Sequence, residues 1–197
     1  EVGGLRDDGF HDLVTVFHAV SLFDEVSVAV NPEPAIAVHG EGVTEVPADE
    51  TNLAWRAVQL LAERADRDPD VALVLRKGIP VAGGMAGGSA DAAAALVGLS
   101  ALWKLDLSRD ELSGLAAELG SDVTFALHGG TALGTGRGEQ LVPVLTRHTV
   151  YWVIALHHRG LSTPTAFGEL DRLRAVARSA DGSNPGPPRV GAVEPVV

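Results

Sequence analysis

Pro80-Val-Ala-Gly-Gly-Met-Ala-Gly-Gly-Ser-Ala90 is the stretch that decides how the chain is read. Two glycine pairs, Gly83-Gly84 and Gly87-Gly88, stand between an alternating apolar segment (Val71, Leu73, Leu75) and an alanine-rich run. Glycine permits positive φ and lets a ligand come within hydrogen-bond distance of successive backbone N–H groups. A helix starting behind such a loop adds its own unpaired N–H groups and a partial positive charge. The segment is therefore expected to be an anion site suited to a di- or triphosphate. Taken alone, a glycine-rich loop is equally compatible with a ligand-free connection, and the flanking strand and helix favour the anion.

Two familiar phosphate loops are excluded. A Walker A loop ends in Gly-Lys-Ser/Thr, and here Ser89 follows Gly88 with no lysine between them. The dinucleotide fingerprint needs Gly-x-Gly-x-x-Gly, and Ala82 stands where its first glycine would fall. Gly134-Thr-Gly-Arg-Gly138 fails the same spacing.

Composition narrows the possible partners. Of 197 residues, 46% are hydrophobic and 21% charged, as in a globular protein, and the net charge is −11. Only Lys77 and Lys104 are lysines among 15 basic residues. Such a body repels polyphosphate at long range, which argues against nucleic acid and leaves short-range backbone donors to hold a phosphorylated ligand. There is no cysteine, so disulfides and thiolate metal sites are ruled out. No apolar run is long enough for a bilayer and no signal-peptide pattern opens the chain, so no membrane partner is expected and a cytoplasmic enzyme is the default.

Working outward from the loop, period-two alternation places strands over residues 13–18 and 24–30, with a turn at Asp8-Gly9. Asn52 caps a helix to about Ala65, with Leu53, Ala57, Leu60 and Leu61 on its stripe. A second helix is expected from Ala90 to about Trp103, burying Leu96, Leu99 and Trp103. A third follows a Ser108/Glu111 capping box and ends at Gly120. Short strands are expected around Thr131–Leu133 and Tyr151–Leu156. A last helix runs from Thr163-Pro164 to about Arg178. From Ser179 onward the proline- and glycine-rich text reads as a linker. The fold class is α+β.

Pro80–Ala90 resembles the second motif of the GHMP kinases. Arg6-Asp-Asp-Gly-Phe-His11, Gly120-Ser-Asp-Val-Thr-Phe125, Gly136-Arg-Gly-Glu139 and Gly160-Leu-Ser-Thr163 resemble, in order, segments of one branch, the 4-diphosphocytidyl-2-C-methyl-D-erythritol kinases. The similarity runs from about Arg6 to about Leu173. It implies a two-domain α+β fold whose N-terminal domain is like ribosomal protein S5 domain 2. Residues 1–150 would be that ATP-binding domain, without its first strand, and residues 151–197 would be the start of a C-terminal domain plus linker. The implied reaction moves the γ-phosphate of ATP, with Mg²⁺ arriving on the nucleotide, to the 2-hydroxyl of a small-molecule substrate, a cytidine-diphosphate-linked methylerythritol.

By the same resemblance, Pro80, Val81, Ala82, Gly83, Gly84, Met85, Ala86, Gly87, Gly88, Ser89 and Ala90 wrap the ATP phosphates; Ser89 is also a candidate contact for the incoming metal, apart from the resemblance. Asp122 is the catalytic aspartate. Phe10 and Phe167 flank the cytosine, and His11 contacts it. Read from the residues alone, Asp122 is also a plain helix cap. Phe10 and Phe167 are also ordinary core aromatics, and His11 a structural histidine. The other six histidines show no metal spacing.

The sequence departs from the family in three places. Nothing in residues 1–5 matches its Lys-x-Asn-Leu segment, so no catalytic lysine is assigned, and Lys77 does not match that motif. A C-terminal Gly-Ser-Gly segment has no counterpart. Thr124 stands for a proline, and Ala90 for a frequent serine. The chain is thus expected to be a piece of a longer reading frame, cut short at both ends and inactive alone. Another GHMP kinase, of homoserine or mevalonate type, and a non-catalytic nucleotide-binding module are the competing readings.

Overall fold

The computed structural model describes residues 1–40, 42–81, 83–155 and 162–181. In chain order the elements are β1 (Val2–Leu5), β2 (His11–Leu13), β3 (Thr15–His18), β4 (Glu25–Val30), β5 (Ala35–Gly40), α1 (Leu53–Arg64), β6 (Val71–Lys77), α2 (Gly87–Trp103), α3 (Arg109–Leu119), α4 (Ser121–His128), β7 (Thr131–Thr135), β8 (Gln140–Pro143) and α5 (Thr163–Asp181). A 3₁₀ turn spans Val43–Glu45.

Three small sheets carry these helices. β6 is the central strand of one, antiparallel to β4 and parallel to β5. β7 is central in the second, between β3 and β8, and β1 pairs with β2 in the third. The core lies between the β6 sheet and the helices. Val71, Leu73 and Leu75 point into it from β6, Leu96 and Leu99 from α2, and Val58 and Leu61 from α1. Burying such side chains contributes roughly 1.5–3 kcal/mol each. α2 is apolar nearly all round because it packs on α1, α4 and the β6 sheet together.

Local chemistry sets most boundaries. The Asn52 side chain accepts the Ala54 N–H at 2.9 Å and starts α1. Ser108 and Glu111 form the expected reciprocal box at the head of α3. Gly9, at φ 82°, makes the turn between β1 and β2. On α1, however, the buried face is Ala54, Trp55, Ala57, Val58, Leu61 and Ala62, and the expected stripe residues Leu53 and Leu60 are only half-buried.

Several expectations are corrected. α2 starts at Gly87, not Ala90, because Ala86 takes a left-handed conformation (φ 55°) that turns the chain into the helix three residues early. No strand forms over residues 151–155, where Tyr151 and Val153 are 91% and 100% exposed: alternation without a neighbouring strand has no ladder to join. Leu156, Gly160-Leu161 and the expected linker from residue 182 onward lie outside the described residues. α5 runs to Asp181, past Arg178. β5 and β8 were not anticipated, and α4 only through the reading of Asp122 as a helix cap. Each is short, and α4 follows α3 across a single residue, Gly120.

Candidate functional site

β6 ends at Lys77, and the glycine loop that follows lines a cavity of about 360 Å³. Pro80, Val81, Gly83, Gly84, Met85 and Ala86 line it from the loop, and Gly87 and Gly88 from the first turn of α2. Glu45–Pro47 and the Asn52-Leu53 head of α1 close the far side. The backbone explains part of the glycine pattern. Gly84 sits at φ 68°, where a side chain is strained. At Gly87 a Cβ would stand 3.2 Å from Ile79 Cγ2 and 3.4 Å from Asp24 Oδ2, so a bare residue lets α2 close on the strand end. Gly88 meets nothing, which leaves its surface open toward the cavity. Ala82 lies outside the described residues, and Ala90 does not line the cavity.

A second cavity, about 540 Å³, gathers residues from six separate stretches of the chain. Phe10, His11, Ser89, Asp122 and Phe167, all singled out from sequence, line it together. Ser89 follows Gly88 directly, so the first turn of α2 forms wall of both cavities.

Asp122 is in the first turn of α4, where the helix dipole favours a carboxylate. It is exposed toward the cavity, yet the surrounding protein pushes its carboxyl upward from the ordinary value through lost solvation. Its openness to solvent limits that push.

Phe10 and Phe167 line the cavity in different surroundings. His11, buried, stacks on Phe167 with ring centroids 4.7 Å apart and planes inclined by 19°. Its Nε2 is 3.0 Å from both carboxylate oxygens of Asp171 on α5. Phe10 is instead half exposed, at 52%, with the Arg137 guanidinium 5.0 Å from its ring centre, a cation–π distance. α5 is held to the β1–β2 hairpin by Arg174, which donates to the carbonyls of Val2 (2.6 Å) and Gly3 (2.9 Å).

Arg137 and Asp171 were given no role by the sequence reading. Arg137 sat inside a quoted motif, where the cation of a Gly-Arg-Gly turn was the available signal. Asp171 had no signal, because its partner is 160 residues away. A buried ion cluster was also missed. Lys77 Nζ donates to Asp24 and Asp91, and all three side chains are nearly inaccessible. Asp24 also accepts the N–H groups of Gly78 (2.6 Å) and Ile79 (2.8 Å). Among the described residues no group of His, Asp and Glu side chains is placed to hold a metal ion, and no helix is long and apolar enough to cross a membrane.

Residues 52–130 match the GHMP kinases N terminal domain. The chain is 62% identical over its whole length to the 4-diphosphocytidyl-2-C-methyl-D-erythritol kinase of Saccharopolyspora erythraea, of which it spans 60%. It is 62% identical over 98% of its length to the enzyme of that name from Rhodococcus jostii, again spanning 60% of it. The chain therefore spans about 60% of the length of the curated relatives it matches. Among solved structures, a 4-(cytidine 5'-diphospho)-2C-methyl-D-erythritol kinase superposes with TM-score 0.57 at 38% identity, over 73% of this chain and 50% of that one. Homoserine kinase from Cytophaga hutchinsonii, at 19% identity and TM-score 0.52 over 63% of this chain and 41% of that one, shares the fold. In sequence over residues 52–130, and in fold, the chain matches the N-terminal domain of the GHMP kinases.

Proposed function

We propose that this chain supplies the nucleotide-binding part of a kinase that transfers the γ-phosphate of ATP to the 2-hydroxyl of 4-diphosphocytidyl-2-C-methyl-D-erythritol. The observation that carries this reading is the first turn of α2, whose Gly87-Gly88 lines the loop cavity while the adjacent Ser89 lines the cavity of Asp122. A triphosphate received by the backbone of Pro80–Ala90 delivers its last phosphate toward Asp122. The relatives named above supply the substrate.

In the proposed step the substrate hydroxyl oxygen attacks the γ-phosphorus and the bond to the β–γ bridging oxygen breaks. ADP leaves, and the hydroxyl proton passes to the Asp122 carboxylate. A carboxyl held above its ordinary value is a better base. It must be ionised to act, so turnover falls as pH drops through its pKa, at a higher pH than an ordinary carboxylate would give. Mg²⁺ arriving with ATP would offset phosphate charge, and the Ser89 hydroxyl is the oxygen this chain would offer it. Phe167 offers a stacking face to the cytosine, His11 a ring nitrogen and Phe10 a cover, with Arg137 available to the diphosphate. A pyrimidine either extends the present His11–Phe167 stack or replaces His11 in it.

A division into an ATP-binding domain over residues 1–150 and the start of a second over 151–197 belongs to the same reading, as does a cytoplasmic location. The test is ADP release by the full-length protein with MgATP and the cytidyl substrate, beside an Asp122→Asn control. Substrate-dependent turnover that drops by about 10²–10⁴ in the control, with ATP binding kept, is the expected result. Folded protein that binds ATP but no cytidine nucleotide would move the reading to another GHMP substrate.

A further inference from the structure

The Lys77–Asp24–Asp91 cluster has no part in the chemistry above, yet it lies directly beneath the glycine loop. Lys77 and Asp91 line the loop cavity, and Lys77 is the one cation among its described lining residues, which also include Glu45. The side chains of Lys77, Asp24 and Asp91 are 3%, 1% and 2% exposed. Removing three charges from water in so small a space is expensive unless each is well partnered. One atom is not: Asp91 Oδ1 is buried with no hydrogen-bond partner among the described residues. Apolar residues would pack this spot at lower cost, so stability alone is a poor reason for the arrangement.

Connectivity gives a better one. Asp24 stands at the foot of β4, Lys77 at the end of β6, and Asp91 one turn into α2. Asp24 Oδ1 holds the N–H groups of Gly78 and Ile79, the first two residues of the loop, while Oδ2 takes the Lys77 ammonium. Lys77 reaches on to Asp91, which belongs to the helix on the loop's other side. Gly87, the first residue of that helix, packs against Ile79 and Asp24 Oδ2 with no room for a methyl group to sit relaxed. The start and the finish of the loop are therefore tied to one ammonium group.

We propose that Lys77 is a positioning residue of the nucleotide site: bridging Asp24 and Asp91, it fixes the start of the glycine loop against the first turns of α2 and so presets the backbone donors that receive the phosphates. It touches no reacting atom. The inference rests on the loop being a nucleotide site, and it goes beyond that reading by naming what holds the loop in shape. It also accounts for a lysine buried under an anion site in a chain with two lysines in all. Preorganised donors bind more tightly because less ordering remains to be done on binding.

The variant that separates positioning from folding is Lys77→Met with Asp91→Asn. It leaves the cluster's net charge at −1, since one cation and one anion are removed together, and it nearly preserves side-chain volume. MgADP affinity of the full chain, measured by calorimetry beside the thermal midpoint, is expected to fall at least tenfold while the midpoint moves by only a few degrees. Unchanged affinity in the folded double variant overturns the proposal. A second measurement needs no substitution: the ¹⁵Nζ resonance of Lys77 in the unsubstituted chain is expected to be slow in proton exchange and to shift at saturating MgADP. A resonance that does not respond overturns the proposal even where the variant fails to fold. If the unsubstituted chain binds no adenine nucleotide, the nucleotide reading fails and takes this inference with it. Binding that is equal in parent and variant removes the inference alone.

Discussion

The two cavities are built in opposite ways. The loop cavity takes most of its wall from one run, residues 77–91, and presents mainly backbone and glycine surface. The larger cavity takes single residues or short pieces from segments far apart in the chain and presents side chains: two aromatic rings, an imidazole, a guanidinium and two carboxylates. Backbone N–H groups suit phosphate, which is alike in every nucleotide, and they need only a loop of fixed shape. Discriminating a base and orienting a hydroxyl need particular side chains in particular places. The two halves of the site should therefore fail separately when damaged.

The sharpest way to break that comparison is Gly87→Val. Its side chain would press on Ile79 and Asp24 at the joint between loop and helix. Adenine-nucleotide affinity should fall by tenfold or more, with cytidine-nucleotide affinity within about twofold of the parent, both read by calorimetry. Equal losses of both would mean the cavities are one mechanical unit. Phe167→Ala is the mirror test. Base–aromatic stacking contributes about 1–3 kcal/mol, so cytidine binding should weaken by roughly 5- to 150-fold while MgADP binding stays put. A cytidine affinity that does not change would mean that the stack seen with His11 is structural.

How much of this the sequence disclosed differs between the cavities for the same reason. Gly83–Ser89 could be read as an anion loop because strand, loop and helix are consecutive, and the signals for each are local. That Asp122 and Phe167 belong to one site with Phe10 and His11 came from a family resemblance, since no spacing rule relates residues 45 to 157 positions apart. The pairing of His11 with Asp171, the stack of His11 on Phe167, and the Lys77 cluster had no sequence signature at all. The strand expected at Tyr151–Leu156 shows the reverse error: alternation records a face's polarity, and only a neighbouring strand turns that into a sheet.

The smallest expected effect concerns Asp91. Burial raises its carboxyl to about 6, against the opposing pull of the Lys77 ammonium. A carboxyl raised on folding binds its proton more tightly in the native state than in the unfolded chain. Its contribution is thus fully present below the ordinary carboxylate value and is lost as pH rises to about 6. Asp24, whose carboxyl is held below its ordinary value despite burial by the Ile79 and Gly78 amides and by Lys77, acts in the opposite sense and matters only in stronger acid. Thermal midpoints of the parent and Asp91→Asn should therefore diverge between pH 4.5 and 6.5, with the parent losing ground as pH rises, by a few degrees at most. Parallel curves would place the proton of this cluster elsewhere.

By itself the sequence determined what short-range physics writes: helix caps at Asn52 and Ser108, the left-handed glycine at the Asp8-Gly9 turn, the apolar β6 strand, and a glycine loop poised before an alanine-rich helix. Only the tertiary structure decided which distant charges meet. Lys77 between Asp24 and Asp91, His11 against Asp171 and Arg137 over Phe10 are pairings of side chains 14 to 160 residues apart. Burial of the β6 sheet under α2 took the Lys77 cluster out of water, where each charge needs a partner, and the docking of α5 on the β1–β2 hairpin brought Asp171 to the buried His11.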